Sequence, residues 1–264
     1  MASSAEKLKD VSSSVAFCSF LTPILLYLPA RAEVTRRIEL CWEPLMPERS
    51  IRDAYDRWAA QYDTDANDTR DLNAEVLRKQ TFIEENDAVL ELGCGTGLNT
   101  EWLAAHAGTI VATDVSEEML ARARECPTPD SVTLQTLDVT EPWPFEADRF
   151  DAVVATLVLE HVKELAPVFA EARRVVRDGG TFYLAELHPT RQFGGTQAHF
   201  EDEDTGETVV IDAFTHPVSE FVNAGVEAGF AVREMGEWWA DGDAHPRLLT
   251  IRFGAGLDVA DLQQ

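Results

Sequence analysis

From Ser50 onward the apolar positions fall into two alternating periods. Ile51, Ala54, Tyr55, Trp58 and Tyr62 recur at helical spacing behind a short capping pair, Ser50 and Asp53, so the pattern predicts an amphipathic helix over 50–62. A second helix is predicted over 70–80. Short apolar runs then alternate with helical patterns: strand 88–92, helix 98–107, strand 109–113, helix 116–125, strand 131–137, strand 150–157, helix 163–177 and strand 181–187. A helix from Pro217 to Phe230 and two β-rich runs, 231–239 and 247–253, follow. Strands that alternate with helices of this length specify an α/β, Rossmann-like fold, a mostly parallel sheet with helices on both faces. In such a sheet a ligand belongs at the carboxyl ends of the strands, near the switch point.

The strongest chemical signal lies at that place. Strand AVLEL runs directly into Gly93-Cys94-Gly95-Thr96-Gly97, and the next helix begins at once. Glycine permits a tight turn and close approach of a ligand to bare backbone, and a helix N-terminus offers unpaired amides. The spacing is GxGxG; the third glycine of a dinucleotide GxGxxG would fall at position 98, which is Leu98, so a nicotinamide-dependent oxidoreductase is disfavoured. The second strand ends at Asp114, an acid placed to accept hydrogen bonds from both hydroxyls of a ribose. The pattern describes a nucleoside-shaped site.

Five segments in order carry a resemblance to a known family: VLELGCGTG at 89–97, VATDVSEEML at 111–120, LDVTEPWPF at 137–145, FDAVVATLVLEHV at 150–162 and RVVRDGGTFYLAE at 174–186. Over residues 50–253 the chain resembles the class I S-adenosylmethionine-dependent methyltransferases, specifically the small-molecule group called type 11. The resemblance implies a seven-stranded sheet whose last strand is reversed and a cofactor, S-adenosyl-L-methionine, bound at its centre. It implies that Gly93, Gly95 and Gly97 line the methionine portion, with Glu91 engaging the amino end directly or through water. Asp114 then takes the ribose diol, Val115 and Met119 border the adenine, Asp138 and Val139 meet its amino group and ring, and Thr156 and Leu157 form a shelf under the methionine and sulfonium. Asp138 can equally cap a turn, and Cys94 reads as a packing residue.

Methyl transfer needs an acceptor aligned with the methyl carbon, exclusion of water, and in some cases removal of a proton. The candidates for that last task are His161, in LEHV after the fourth strand, and His188, after the fifth; His161 has loop support as an equal alternative. Arg191 is placed either to clamp a substrate carboxylate or to pair with acids of the lid. Residues 188–216, with Gln192 and His199 near their start and two extended runs about Thr205-Gly206, read as a hairpin lid insert. His216 either reaches the cleft or precedes a helix. Residues 46–86 form a helical cover carrying Tyr55 and Tyr62. The function expected is methyl transfer to a small-molecule acceptor; a catalytically inactive cofactor-binding regulator and a protein methyltransferase are the alternatives.

Composition changes this picture in three ways. The 264 residues hold 22 Lys plus Arg against 47 Asp plus Glu, a formal net charge of -25, which argues against nucleic acid or an anionic membrane as partner. Cys18, Cys41, Cys94 and Cys126 are scattered without a CxxC pair, so neither a metal site nor a disulfide framework is expected. Residues 1–45 hold five acids and five bases, so the whole negative charge falls on 46–264, the methyltransferase domain. That neutral segment, with its apolar run VAFCSFLTPILLYLPA, reads as an extension not native to the domain, as a signal peptide or anchor, or as a structural helix. A cytoplasmic location is expected, and the acidic surface suggests adaptation to high salt.

Overall fold

The computed structural model describes residues 50–127, 129–203 and 205–256, so the expectations for the first 45 residues lie outside the described part. Helix α1 (Ile51–Trp58) begins where Ser50 accepts a hydrogen bond from the Asp53 amide at 3.1 Å. It stops at Trp58, four residues before the expected end, because 59–63 turn toward the sheet and their carbonyls take other partners: Arg122 holds Ala59 and Ala60, and Arg70 holds Tyr62. Helix α2 (Asp68–Leu77) starts two residues earlier than its apolar pattern indicated, since the Asn67 side chain caps the Thr69 and Arg70 amides.

The sheet contains β1 (Ala88–Leu92), β2 (Thr109–Asp114), β3 (Val132–Thr136), β4 (Phe150–Thr156), β5 (Val176–Leu187), β8 (Phe230–Trp238) and β9 (Leu248–Ala255), in the order β3-β2-β1-β4-β5-β9-β8. The first five strands are parallel, and β9 runs antiparallel to both neighbours, the reversed last strand expected. Helices α3 (Leu98–Ala104), α4 (Glu117–Glu125), α5 (Leu165–Val175) and α7 (Val218–Glu227) connect the strands. Strand β5 starts five residues before its expected position, with a register irregularity opposite Phe150/Ala152. Gly180 permits this: a Cβ there would lie 2.6 Å from the Asp151 carbonyl.

Strand alternation divides the core between the two faces. One face collects Phe150, Val153, Phe169, Phe182, Phe221 and Phe253 beneath α5 and α7. The other collects Val89, Ile110, Ala112, Leu103, Leu120 and Val154 against α2, α3 and α4. A third cluster joins α1 to the expected lid, which consists of α6 (Pro189–Phe193) and a hairpin, β6 (His199–Glu201) with β7 (Thr208–Val210). Trp58 stacks on Phe200 with ring centroids 5.2 Å apart and planes 8° from parallel, and Arg57 pairs with Asp202. Helix α1 and the hairpin therefore pack together as one layer, the cap. Among the described residues no helix is long and apolar enough to cross a membrane.

Phe169 is fully buried and meets Phe182 and Phe253 edge-to-face. Phe169→Ala is expected to lower unfolding stability by about 3–5 kcal/mol, read from urea denaturation curves.

Candidate active site

A cavity of about 550 Å³ opens at the carboxyl ends of β1, β2 and β4, under the cap. Its floor is the glycine loop. Gly93 has φ 69°, and a Cβ there would overlap Val158, so no larger residue fits between β1 and the turn after β4. Gly97 has φ 92° and caps α3 without a side-chain bond, which leaves the first amides of α3 available to a ligand.

The Asp114 carboxylate shapes the loop. One oxygen accepts from the Gly95 amide at 2.8 Å and the other from the Ser116 amide at 2.9 Å. Burial raises the Asp114 pKa above the usual carboxylate value, while these amide bonds oppose the shift. Each carboxylate oxygen carries two lone pairs, so hydroxyl donors can still be accommodated. Val115, Met119, Asp138, Val139, Thr156 and Leu157 all line the same cavity. One Asp138 oxygen is occupied by the Thr140 amide and hydroxyl, so its turn-capping role is real, but the residue still faces the cavity. Thr156 Oγ1 accepts from Asn99 at 3.3 Å. Leu157 holds φ 57°, an uncommon conformation for a branched side chain that costs on the order of 1–3 kcal/mol.

Glu91 departs from its expected placement. Strand alternation turns its side chain into the core below α3, where it is 1% exposed and accepts from Thr100 Oγ1 at 2.6 Å instead of lining the cavity. Burial pushes its pKa from the ordinary 4.5 up to about 7; the Thr100 bond opposes this, and the charge of Asp114 adds to it.

His188 also lies away from the described cavities. It is 3% exposed, caps α6 by accepting from the Thr190 amide, and meets Glu237 at 3.1 Å through Nε2. Arg191 pairs with Asp243 at 3.1 Å, in the loop between β8 and β9, not with an acid of the lid hairpin. His216 is buried, donating to the Val162 carbonyl through Nε2 with Glu220 at its other nitrogen. His161 does line the cavity, with Nε2 2.8 Å from the Tyr55 hydroxyl and Nδ1 2.8 Å from the Asp212 carbonyl.

The cover adds residues that periodicity did not single out. Arg70 and Asn73, one turn apart on α2, both line the cavity. Arg70 lies over the Tyr62 ring at 4.4 Å and donates to the Tyr62 and Asp65 carbonyls. Asn73 is 2% exposed, and its Oδ1 has no hydrogen-bond partner among the described residues, an acceptor whose burial is costly until a donor arrives. Asp63 receives the Thr96 hydroxyl and Asp56 that of Ser116, tying the cover to the glycine loop and to the start of α4.

A second chamber, about 770 Å³, lies between the cover and the hairpin. Tyr55, Tyr62, Arg70 and Leu157 face both spaces, so the two adjoin. His199 and Phe200 belong to the outer wall of the second chamber.

A glycine loop, an acid ending β2 and an uncapped helix start, set in this strand order, define an enzyme site for a nucleoside-bearing cofactor. The description "Methyltransferase domain" matches residues 90–184. An uncharacterized methyltransferase of Emericella nidulans is 30% identical over 218 residues, covering 68% of this chain and 75% of that protein. A ubiquinone biosynthesis O-methyltransferase of Hydrogenovibrio crunogenus is 27% identical over 193 residues, covering 71% and 78%. In fold, the chain is similar to an S-adenosylmethionine dependent methyltransferase from Mesorhizobium loti, with TM-score 0.58, 21% identity and coverage of 70% and 97%. The chain belongs to the class I S-adenosylmethionine-dependent methyltransferases, type 11. Its cofactor is S-adenosyl-L-methionine. The residues fit that molecule: a buried amide oxygen without a donor for an ammonium group, and a carboxylate at the ribose position.

The raised Glu91 pKa gives a signed expectation. The protonated carboxyl suits the folded state, so its stability contribution is complete below about pH 4.5 and is lost as pH rises through about 7. Glu91→Gln should therefore gain stability relative to the wild type between pH 5 and 8, by up to about 3 kcal/mol, seen as a pH-dependent difference in urea midpoints.

Proposed function

We propose that this methyltransferase acts on a small-molecule acceptor held in the second chamber. The observation that carries the reading is the pair of adjoining spaces. One is walled by the glycine loop and Asp114, the other by the cap, and Tyr55, Tyr62, Arg70 and Leu157 lie between them. When bound, the cofactor supplies a methyl group already activated by its sulfonium.

The chain's own groups then have separable tasks. Asp114 holds the ribose hydroxyls, with Val115 and Met119 beside the base. Asp138 and Val139 flank the base from the loop after β3. Asn73 Oδ1 and the α3 amides receive the amino-acid end, and Arg70 lies close enough to balance its carboxylate. Thr156 and Leu157 form the shelf beneath the reacting centre. The cap excludes water, which strengthens every electrostatic contact inside. Several observations support a small acceptor. The second chamber is of metabolite size. The net charge of -25 disfavours RNA. The Hydrogenovibrio relative is named for ubiquinone biosynthesis.

Isothermal calorimetry with S-adenosylhomocysteine should give saturable binding. Asp114→Ala should weaken that binding by about 100-fold or more, since two charge-assisted hydrogen bonds at about 1.5–3 kcal/mol each are removed. Incubation with methyl-labelled cofactor and a metabolite extract should place the label in the low-molecular-weight fraction. Label confined to protein or RNA would refute the small-molecule assignment.

A further inference from the structure

Tyr55 and His161 lie 106 residues apart in sequence and meet at the junction of the two chambers. The hydrogen-bond pattern there has a direction. Asp212 offers a backbone carbonyl, which can only accept, to His161 Nδ1 at 2.8 Å. Nδ1 must therefore carry a proton, and in the neutral ring Nε2 is left as an acceptor. Its partner at 2.8 Å is the Tyr55 hydroxyl, which consequently donates to it. The Tyr55 oxygen keeps lone pairs for another donor. Tyr55 faces both chambers, whereas His161 faces only the cofactor side.

We propose that Tyr55 and His161 form a proton relay for an acceptor bearing an O–H or N–H: Tyr55 is the catalytic residue that touches the acceptor, and His161 acts through it. This rests on the methyltransferase reading above. As the acceptor atom bonds to the methyl carbon and the carbon–sulfur pair leaves with sulfur, the acceptor's proton passes to Tyr55 Oη. The proton originally on Tyr55 passes to His161 Nε2. The imidazolium that results keeps its Nδ1–H bond to Asp212 and gains Glu160 as a counter-charge, whose Oε1 lies 3.9 Å from Nε2.

The surroundings explain why a relay suits this place better than a lone tyrosine base. Burial, with Tyr62, Glu160, Asp114 and Glu186 nearby, raises the Tyr55 pKa well above its ordinary value, so the hydroxyl stays protonated and is suited to passing a proton on. The lid takes part directly. Asp212 follows β7, and two residues later the Phe214 amide donates to the Glu160 carbonyl at 2.7 Å. The segment that follows the hairpin is thus the one that sets the histidine tautomer.

The test uses the full chain saturated with S-adenosylhomocysteine. Nitrogen-15 NMR of labelled histidine should show the His161 resonance, assigned by its loss in His161→Gln, with Nδ1 protonated and Nε2 bare. 4-Nitrophenol added as a chromogenic probe should show a phenolate-to-phenol ratio about tenfold above that of free probe, a shift of one pKa unit. Tyr55→Phe, which keeps the ring, should abolish that rise, and His161→Gln should do the same. A proton on Nε2 in the wild type, no rise with the wild type, or a rise that survives in Tyr55→Phe would each overturn the relay. Failure of the wild type to bind S-adenosylhomocysteine in the same calorimeter would instead overturn the underlying reading.

Discussion

A carboxylate can be buried only where hydrogen-bond donors replace the water it loses, and Asp114 meets this condition with backbone alone. Its two oxygens take the amides of Gly95 and Ser116, one from the loop after β1 and one from the start of α4. That arrangement fixes the relative positions of two loops that belong to different strands. The Ser116 hydroxyl, held in place by the same turn, donates to Asp56 of α1, so the cover is located by a chain of bonds beginning at one acid. Loss of this charge would disturb the glycine loop, the helix start and the cap together.

Above that floor, the cap is built from segments about 140 residues apart. Trp58 and Phe200 stack, Gln61 donates to the Glu201 carbonyl at 2.7 Å, and Arg57 meets Asp202. The ion pair pulls the Asp202 pKa down to about 2, with the Thr205 amide assisting. Because α1 is bonded to the cofactor floor and the hairpin is bonded to α1, the three parts form one connected network.

The sheet was legible because its signals are local. Alternation of apolar runs marked the strands, and the glycine spacing with Asp114 marked the cofactor space. Boundaries slipped where something other than the apolar pattern decides them, as the Asn67 cap does for α2 and the bare backbone of Gly180 for β5. Glu91 was misplaced for a different reason. Proximity to the loop in sequence suggested contact with ligand, yet the two-residue period of β1 turns it to the α3 face. His188 and Arg191 stand at the expected end of β5, but partners from the β8–β9 region, Glu237 and Asp243, hold them. Asn73 was not marked by any local pattern, and Tyr55 and His161 were named separately without their pairing, since that contact arises only from the packing of α1 on the sheet.

The position of β9 bears on how the molecule is made. Among the described strands β8 pairs only with β9, and β9 lies between β5 and β8, so neither joins the sheet until β9 docks on the edge of β5. During synthesis the edge of β5 stays unpaired and the aromatic cluster around Phe182 lacks Phe253, leaving apolar surface and open backbone groups exposed to other nascent chains. That exposure persists until the residues up to Ala255 have been made and β9 can pair with β5.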